Sequence, residues 1–272
     1  MSRPERAHRY IRSTFQRSLH EERRAVAGWS VGLAAAVGLE IALFPTIRAN
    51  DMAKVLDSYP EALRRLFSLN DFSTGTGFVN AELFSLVVPL MLVIFAILWG
   101  SDGIAGEEER RTLDLLLAAP ISRRRVLLEK AAATAVGVAS VGSVVLLVLL
   151  VGDAAADLGI GAVHLIAAVG STVGLAILFG WIALGMGAAT GHRGLARGAS
   201  AVLAVAAYLL SSLATLVPGL RPWRTASPWY HALGVDPLAK GTTVGHVTVL
   251  LGLGACALVA GSAAFTRRDV AT

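Results

Sequence analysis

The sequence predicts an all-α fold: a polytopic membrane protein with six transmembrane helices. Three observations carry this. Hydrophobic residues make up 55% of the 272 residues and charged ones 16%, with a mean hydropathy of +0.64, whereas soluble domains carry about 25% charged residues. The apolar residues gather in six runs, each close to the ~20 residues a helix needs to cross a hydrocarbon core of about 30 Å. Basic residues are spread unevenly over the segments between those runs.

The runs are Ala25–Phe44, Glu82–Gly100, Ala131–Val151, Val163–Ala189, Ala199–Val217 and Val244–Phe265. The fourth is long and glycine-rich, which implies tilt or a start outside the hydrocarbon core. With the N-terminus in the cytoplasm, 17 of the 24 Lys and Arg residues lie inside. The connections are short enough for the positive-inside rule to apply. Both termini are therefore expected in the cytoplasm, in agreement with an even number of spans. The same distribution accounts for the net charge of +5 without a nucleic-acid partner. The expected organisation is an interfacial segment (1–24) and one six-helix membrane domain (25–272). Within that domain, 45–81 is external and 101–130 cytoplasmic.

In the first segment, Ala7, Ile11, Phe15 and Leu19 recur every fourth residue, and Arg3, Arg6, Arg9, Arg12 and Arg17 fall largely off that stripe. This predicts a basic amphipathic helix lying on the inner leaflet. The first span follows a basic stretch but is longer than a signal-peptide core and is read as retained. Glu40, near its outer end, is an ionisable residue in a span and so a pathway candidate; a simple reach to the headgroups is the plainer reading. In the external segment, Asp57-Ser58 followed by Pro60-Glu61 marks a helix start, with Leu63, Leu66 and Phe67 as its apolar face. One or two short capping helices are expected there.

Pro89 lies inside the second span, frees a carbonyl and kinks the helix, which makes it the second pathway candidate. The spacings Gly28/Gly32, Gly170/Gly174, Gly187/Gly191 and Gly241/Gly245 permit close helix approach. Gly180, Gly185 and Gly187 together predict tight packing of the fourth span. The Pro- and aromatic-rich stretch 218–241 predicts a compact external loop, with Trp223, Trp229 and Tyr230 as an interfacial aromatic belt and His231 as an interfacial histidine. Cys256, the single cysteine, is read as a buried, inert thiol.

Chemistry-bearing motifs are missing. There is no phosphate-cradling GxxxxGK[ST], no HExxH, no CxxC and no Ca-loop pattern, and the serines and histidines are read as scattered, without a GxSxG elbow. His164, His192, His231 and His246 are assigned to different membrane faces, which argues against one metal site. No catalytic residue, cofactor or metal is predicted on this chain.

One long charged segment between apolar ones remains, EEERRTLDLLLAAPISRRRVLLEK (Glu107–Lys130). Acids come first and bases later, which suggests negative charge at a helix start and Arg123–Arg125 against the anionic leaflet. Leu113, Leu116 and Leu117 give a short apolar face, Pro120 breaks the helix, and Ser122 caps the next one. A membrane protein holds such a segment in water, where a soluble partner can grip it.

The segment resembles the signature of type-2 ATP-binding-cassette exporter permeases. That signature is acid-rich, then Gly-Thr-Leu, a leucine run, Pro-Ile-Ser-Arg, and a Lys opening the third span. Glu107, Glu109, Thr112, Leu113, Leu116, Leu117, Pro120, Ile121, Ser122, Arg123 and Lys130 match it; Arg111 stands where the family usually has Gly. The motif covers 24 residues, and the six-span layout extends the resemblance over nearly the whole chain.

The resemblance implies a permease subunit, not an enzyme. It pairs with a second permease chain, identical or homologous, above two cytoplasmic ATPase subunits that hold ATP and Mg. The loop between the second and third spans becomes the coupling helix. Glu107, Glu108, Glu109 and Arg110 fall to polar docking, Leu113 and Leu116 to apolar anchoring, and Pro120, Ile121, Ser122 and Arg123 to the turn; Thr112 and Leu117 complete the ATPase-coupling set. The setting is a cell membrane, plasma or inner, with lipids as neighbours, and the Ala-, Val- and Arg-rich composition suggests a prokaryote. Mostly apolar spans favour amphiphilic, drug-like or lipid-like cargo; export follows from the resemblance alone. A stand-alone secondary transporter would need more intramembrane charge than Glu40. An intramembrane enzyme would need a nucleophile and base at one depth. A non-transporting anchor or assembly subunit would differ in lacking nucleotide-dependent substrate movement.

Overall fold

A computed structural model describes residues 14–49, 59–60, 63, 74–113 and 121–268. Its six long helices are α1 (Thr14–Ala49), α2 (Gly75–Glu109), α3 (Arg123–Ala156), α4 (Ala162–Thr190), α5 (Arg193–Leu213) and α6 (Val244–Arg267). Each is long and apolar enough to cross a membrane, and no strand occurs among the described residues. The predicted fold class and span count are the observed ones.

The N-terminal boundary differs from expectation. Thr14 to Arg24 are the opening turns of α1, continuous with the first span. Nothing in TFQRSLHEERR breaks a helix, and Arg17 and Glu21 pair at i,i+4 (2.7 Å). Phe15 and Leu19, both half-buried, pack against the protein core. Ala7 and Ile11, like nearly all of the predicted external helices in 45–81, lie outside the described residues.

α2 alternates between α and π turns, with wide turns at Asn80–Val87 and Asp102–Gly106. Pro89 sits in the first turn of the α-helical stretch Val88–Ser101, directly after the first wide segment, and is buried. Val88 donates its N–H to the Leu83 carbonyl. The i→i−5 turns absorb the donor that proline lacks, so the expected disturbance takes the form of a π segment.

α4 is the hub, packing against α2, α3, α5 and α6. It makes backbone-to-backbone contact with two of them. A Cβ added at Gly100 of α2 would stand 2.0 Å from the Gly180 carbonyl oxygen, and one at Gly261 of α6 2.5 Å from the Gly185 Cα. Gly187 faces Ala105, so the three glycines expected to pack tightly do so. Most of the four-residue glycine spacings do not: Gly28, Gly32, Gly170, Gly241 and Gly245 face open space. Such a spacing permits contact only where a second helix arrives. Gly191 serves instead as the left-handed cap of α4, at φ 73°. Val31, Leu39, Val202, Leu209 and Val259 point outward from α1, α5 and α6, as lipid-facing side chains do. Cys256 is exposed on α6 and not buried as expected, because its face of that helix meets no neighbour.

The stretch 218–240 folds back onto the bundle through a 3₁₀ segment (Pro218–Ala226), a π turn (Tyr230–Gly234) and one helical turn (Pro237–Lys240). Trp223 is exposed, as a belt residue should be, but Trp229 is buried. Its indole N–H donates to the Ala204 carbonyl (3.1 Å), and the Ser227 hydroxyl donates to that of Ala207 (2.6 Å). An indole whose N–H finds a helix carbonyl can be buried whole.

The α2–α4 seam has no room for a methyl group. Gly100→Ala is expected to lower stability by about 1–3 kcal/mol, read as a drop in thermal midpoint in detergent. Gly32→Ala, in open space, is expected to leave it unchanged.

Candidate functional site

α2 ends in acids: Asp102, Glu107, Glu108 and Glu109. The end of a helix already carries partial negative charge, so these carboxylates sit against the macrodipole and require cations. The sequence suggested that they open a helix; they close one. Cations reach them from four other places.

Lys130 of α3 donates to Glu107 Oε1 at 3.1 Å, with only 6% and 3% of the two side chains exposed. Arg110 donates two hydrogen bonds to Asp102 Oδ2, both 3.0 Å. From α5, Arg193 bonds Asp102 (3.0 Å) and Glu109 (3.1 Å), and Arg197 donates to the Ser101 hydroxyl (2.9 Å). Arg268, just past α6, pairs with Glu108. Arg123 of α3 donates to the carbonyls of Phe265 (2.8 Å) and Arg268 (2.6 Å) and covers the Phe265 ring. α1 joins through Glu129, which accepts the Phe15 N–H and the Arg125 side chain. One end of the bundle is thus an ionic lattice that ties α2, α3, α5 and α6 together.

The backbone closes α2 in a matching way. Thr112 N–H donates to the Glu107 carbonyl and Arg111 N–H to that of Glu108, both at 2.9 Å, and Arg111 is left-handed at φ 56°. This paired 6→1 and 5→2 closure is a Schellman motif with Arg111 at the C′ position. The Thr112 hydroxyl donates to the Glu107 carbonyl and carboxylate, fixing the buried acid from a second side. Leu113 then drops into a core with Ile104, Leu127, Leu184, Leu258 and Phe265.

A family model described as "ABC-2 family transporter protein" matches residues 9–270. The chain belongs to the ABC-2 transporter family. No functionally curated protein matches the chain. ABC-2 membrane subunits are transport components that are generally non-catalytic themselves.

In this ABC-2 subunit, the Gly usual at position 111 has a physical reason: C′ of a Schellman motif needs positive φ, which glycine adopts without strain. The signature residues divide by location. Glu107 and Leu113 are buried inside the chain, so neither offers a side chain to a partner, contrary to the docking and anchoring roles expected of them. Glu108, Glu109 and Arg110 have internal ion partners. Burial opposes the Arg110 charge, but hydrogen bonds and charge from Asp102 outweigh it and hold its pKa above the usual value. Ser122 caps α3 by accepting the Arg125 N–H, as predicted, and Ile121 is half-buried beside it. Leu116, Leu117 and Pro120 lie outside the described residues.

The pathway candidates are elsewhere. Glu40 is half-buried towards the opposite end of α1, near enough to Glu82 for the two charges to repel. Two of the four histidines, both on stretches expected outside, meet there: His231 Nδ1 lies 2.9 Å from His246 Nδ1 and its Nε2 2.8 Å from the Thr225 carbonyl. Among the described residues no group of three or more metal-binding side chains forms. Gly28-Trp29-Ser30-Val31-Gly32 has the GxSxG spacing, but it lies in the continuous helix α1 and not on a strand-to-helix turn.

Lys130→Met strands the Glu107 carboxylate and should destabilise the protein by about 3–5 kcal/mol, while the double variant with Glu107→Leu should recover most of that, both measured as thermal midpoints. Arg111→Gly removes a left-handed penalty of roughly 1–2 kcal/mol and adds some chain entropy to the unfolded state. A small net gain in midpoint is the expected result.

Proposed function

We propose that this permease forms half of the membrane pathway of an ATP-driven exporter for amphiphilic, drug-like or lipid-like molecules. A second permease chain, identical or homologous, supplies the other half. Two cytoplasmic ATPase subunits, which carry the ATP and Mg, drive the pair. The positive-inside bias supports a cytoplasmic position for the ionic end and both termini. ABC-2 membrane subunits typically work with ATPase partners.

The single observation that carries the reading is the ionic lattice. The segment between α2 and α3 leaves one buried ion pair and returns to it, with α5 and α6 clamped to the same acids. A force applied by a partner to residues 114–122 reaches four spans at once. ATP binding that favours one packing of the ATPase pair then shifts the permease between inward- and outward-facing packings. In this reading the lattice acids position the coupling segment, and partner contact falls to Leu116, Leu117 and the turn at Pro120–Ser122.

The test is co-purification of the chain with the neighbouring ATPase in mild detergent, followed by ATP hydrolysis in lipid nanodiscs. Leu116→Asp should abolish the complex and leave the permease's thermal midpoint unchanged, whereas Leu113→Asp should lower the midpoint itself. Wild-type ATPase binding and transport by the Leu116→Asp protein would overturn the assignment.

A further inference from the structure

At the end of the bundle opposite the ionic lattice, α2, α5 and the folded-back stretch 218–240 line an open cavity of about 230 Å³. One water needs only about 10–15 Å³. The polar lining includes Asn80 from α2, Tyr208, Ser211 and Ser212 from α5, and Arg224 and Asp236 from the folded-back stretch. The Arg224 guanidinium is held over the Tyr230 ring at 5.1 Å, and its buried Nε has no hydrogen-bond partner. Neither Arg224 nor Asp236 enters an ion pair among the described residues. A cation and an anion thus line one chamber without neutralising each other.

Tyr208 and Trp229 also line a second space, a groove of about 360 Å³ with an entirely apolar surface. It runs between α2 and α5 along Leu86, Leu90, Ile94 and Val205. The Trp229 N–H is already donated to the Ala204 carbonyl, so the indole brings no free donor to either space. Tyr208 and Trp229, whose rings pack 5.1 Å apart, line both spaces, which sets a polar and an apolar lining side by side as a molecule with a polar head and a hydrocarbon chain requires.

We propose that chamber and groove together bind an amphiphile whose head carries both an anionic group and an ammonium. The anion is placed at Arg224, the ammonium at Asp236, and the chain along α2 and α5. A purely anionic head would leave Asp236 unpaired beside added negative charge, and a purely cationic one would do the same to Arg224. Only the purpose of the site, as a cargo station, rests on the transport reading; binding is a property of the isolated chain.

The test is native mass spectrometry of the chain released from nanodiscs holding equal amounts of phosphatidylethanolamine and phosphatidylglycerol. The zwitterionic lipid should be retained over the anionic one by about tenfold, the scale of one charge-assisted contact. Asp236→Asn should erase that preference. It also keeps a residue suited to the left-handed backbone there, φ 60°, so folding is preserved. Arg224→Gln should reduce retention of both lipids, and Arg224→Lys should restore part of it. In competition, lysophosphatidylethanolamine should displace the bound lipid at concentrations where chain-free glycerophosphoethanolamine does not. Equal retention of the two lipids, an unchanged preference in Asp236→Asn, or equal competition by the chain-free head would each overturn the proposal. The assay uses no ATPase, so its failure leaves the coupling reading intact, and the failure of coupling leaves this site intact.

Discussion

The Glu107–Lys130 ion pair is the contact on which the charged end of the protein depends. Two opposite charges almost wholly removed from water are tolerable only together. Their meeting requires the last turn of α2 and the first turns of α3 to stand side by side. The Thr112 hydroxyl and the Schellman closure at Arg111 then hold Glu107 in place. With that turn fixed, Asp102, Glu108 and Glu109 are presented to arginines from α5 and from the end of α6. Arg123 answers from α3 by capping the α6 carbonyls.

The bundle is therefore joined in two chemically different ways. Along its middle, α4 meets α2 and α6 backbone to backbone through Gly180 and Gly185, contacts too close to slide without steric cost. At the charged end, the joints are ion pairs between side chains, which can exchange partners as helices shift. In the proposed transport cycle the glycine seams keep α2, α4 and α6 as one body. In the same proposal the lattice passes motion from the coupling segment into that body and into α5, whose own packing is sparser.

Hydropathy made the fold class legible because six apolar runs of spanning length admit few alternatives. Local signals with local partners were equally readable: Ser122 caps the helix it precedes, and the glycines of α4 mark its tight face. Features that depend on distant partners were not. The acids of α2 read as a solvated face because Arg193 lies 91 residues from Asp102 in the chain. A clue existed, since four carboxylates at a helix C-terminus oppose the dipole and call for cations. Trp229 passed for an interfacial residue because composition does not say whether an indole meets lipid headgroups or a helix carbonyl. Leu113 passed for an anchor because the resemblance assigned it that role, and an apolar face does not by itself tell a partner's groove from the chain's own core. The pairing of His231 with His246 arises from the fold-back of 218–240, which no spacing announces.

The central claim is that the end of α2 is folded internal structure in the free subunit and not a solvated loop awaiting its partner. Hydrogen–deuterium exchange on the chain alone in lipid nanodiscs tests it most directly. The amides of Arg110, Arg111 and Thr112, each donated to a carbonyl of α2, should be protected well beyond the first time point, alongside those of α3. Complete exchange of residues 107–113 at the first time point, with α3 still protected, would contradict it.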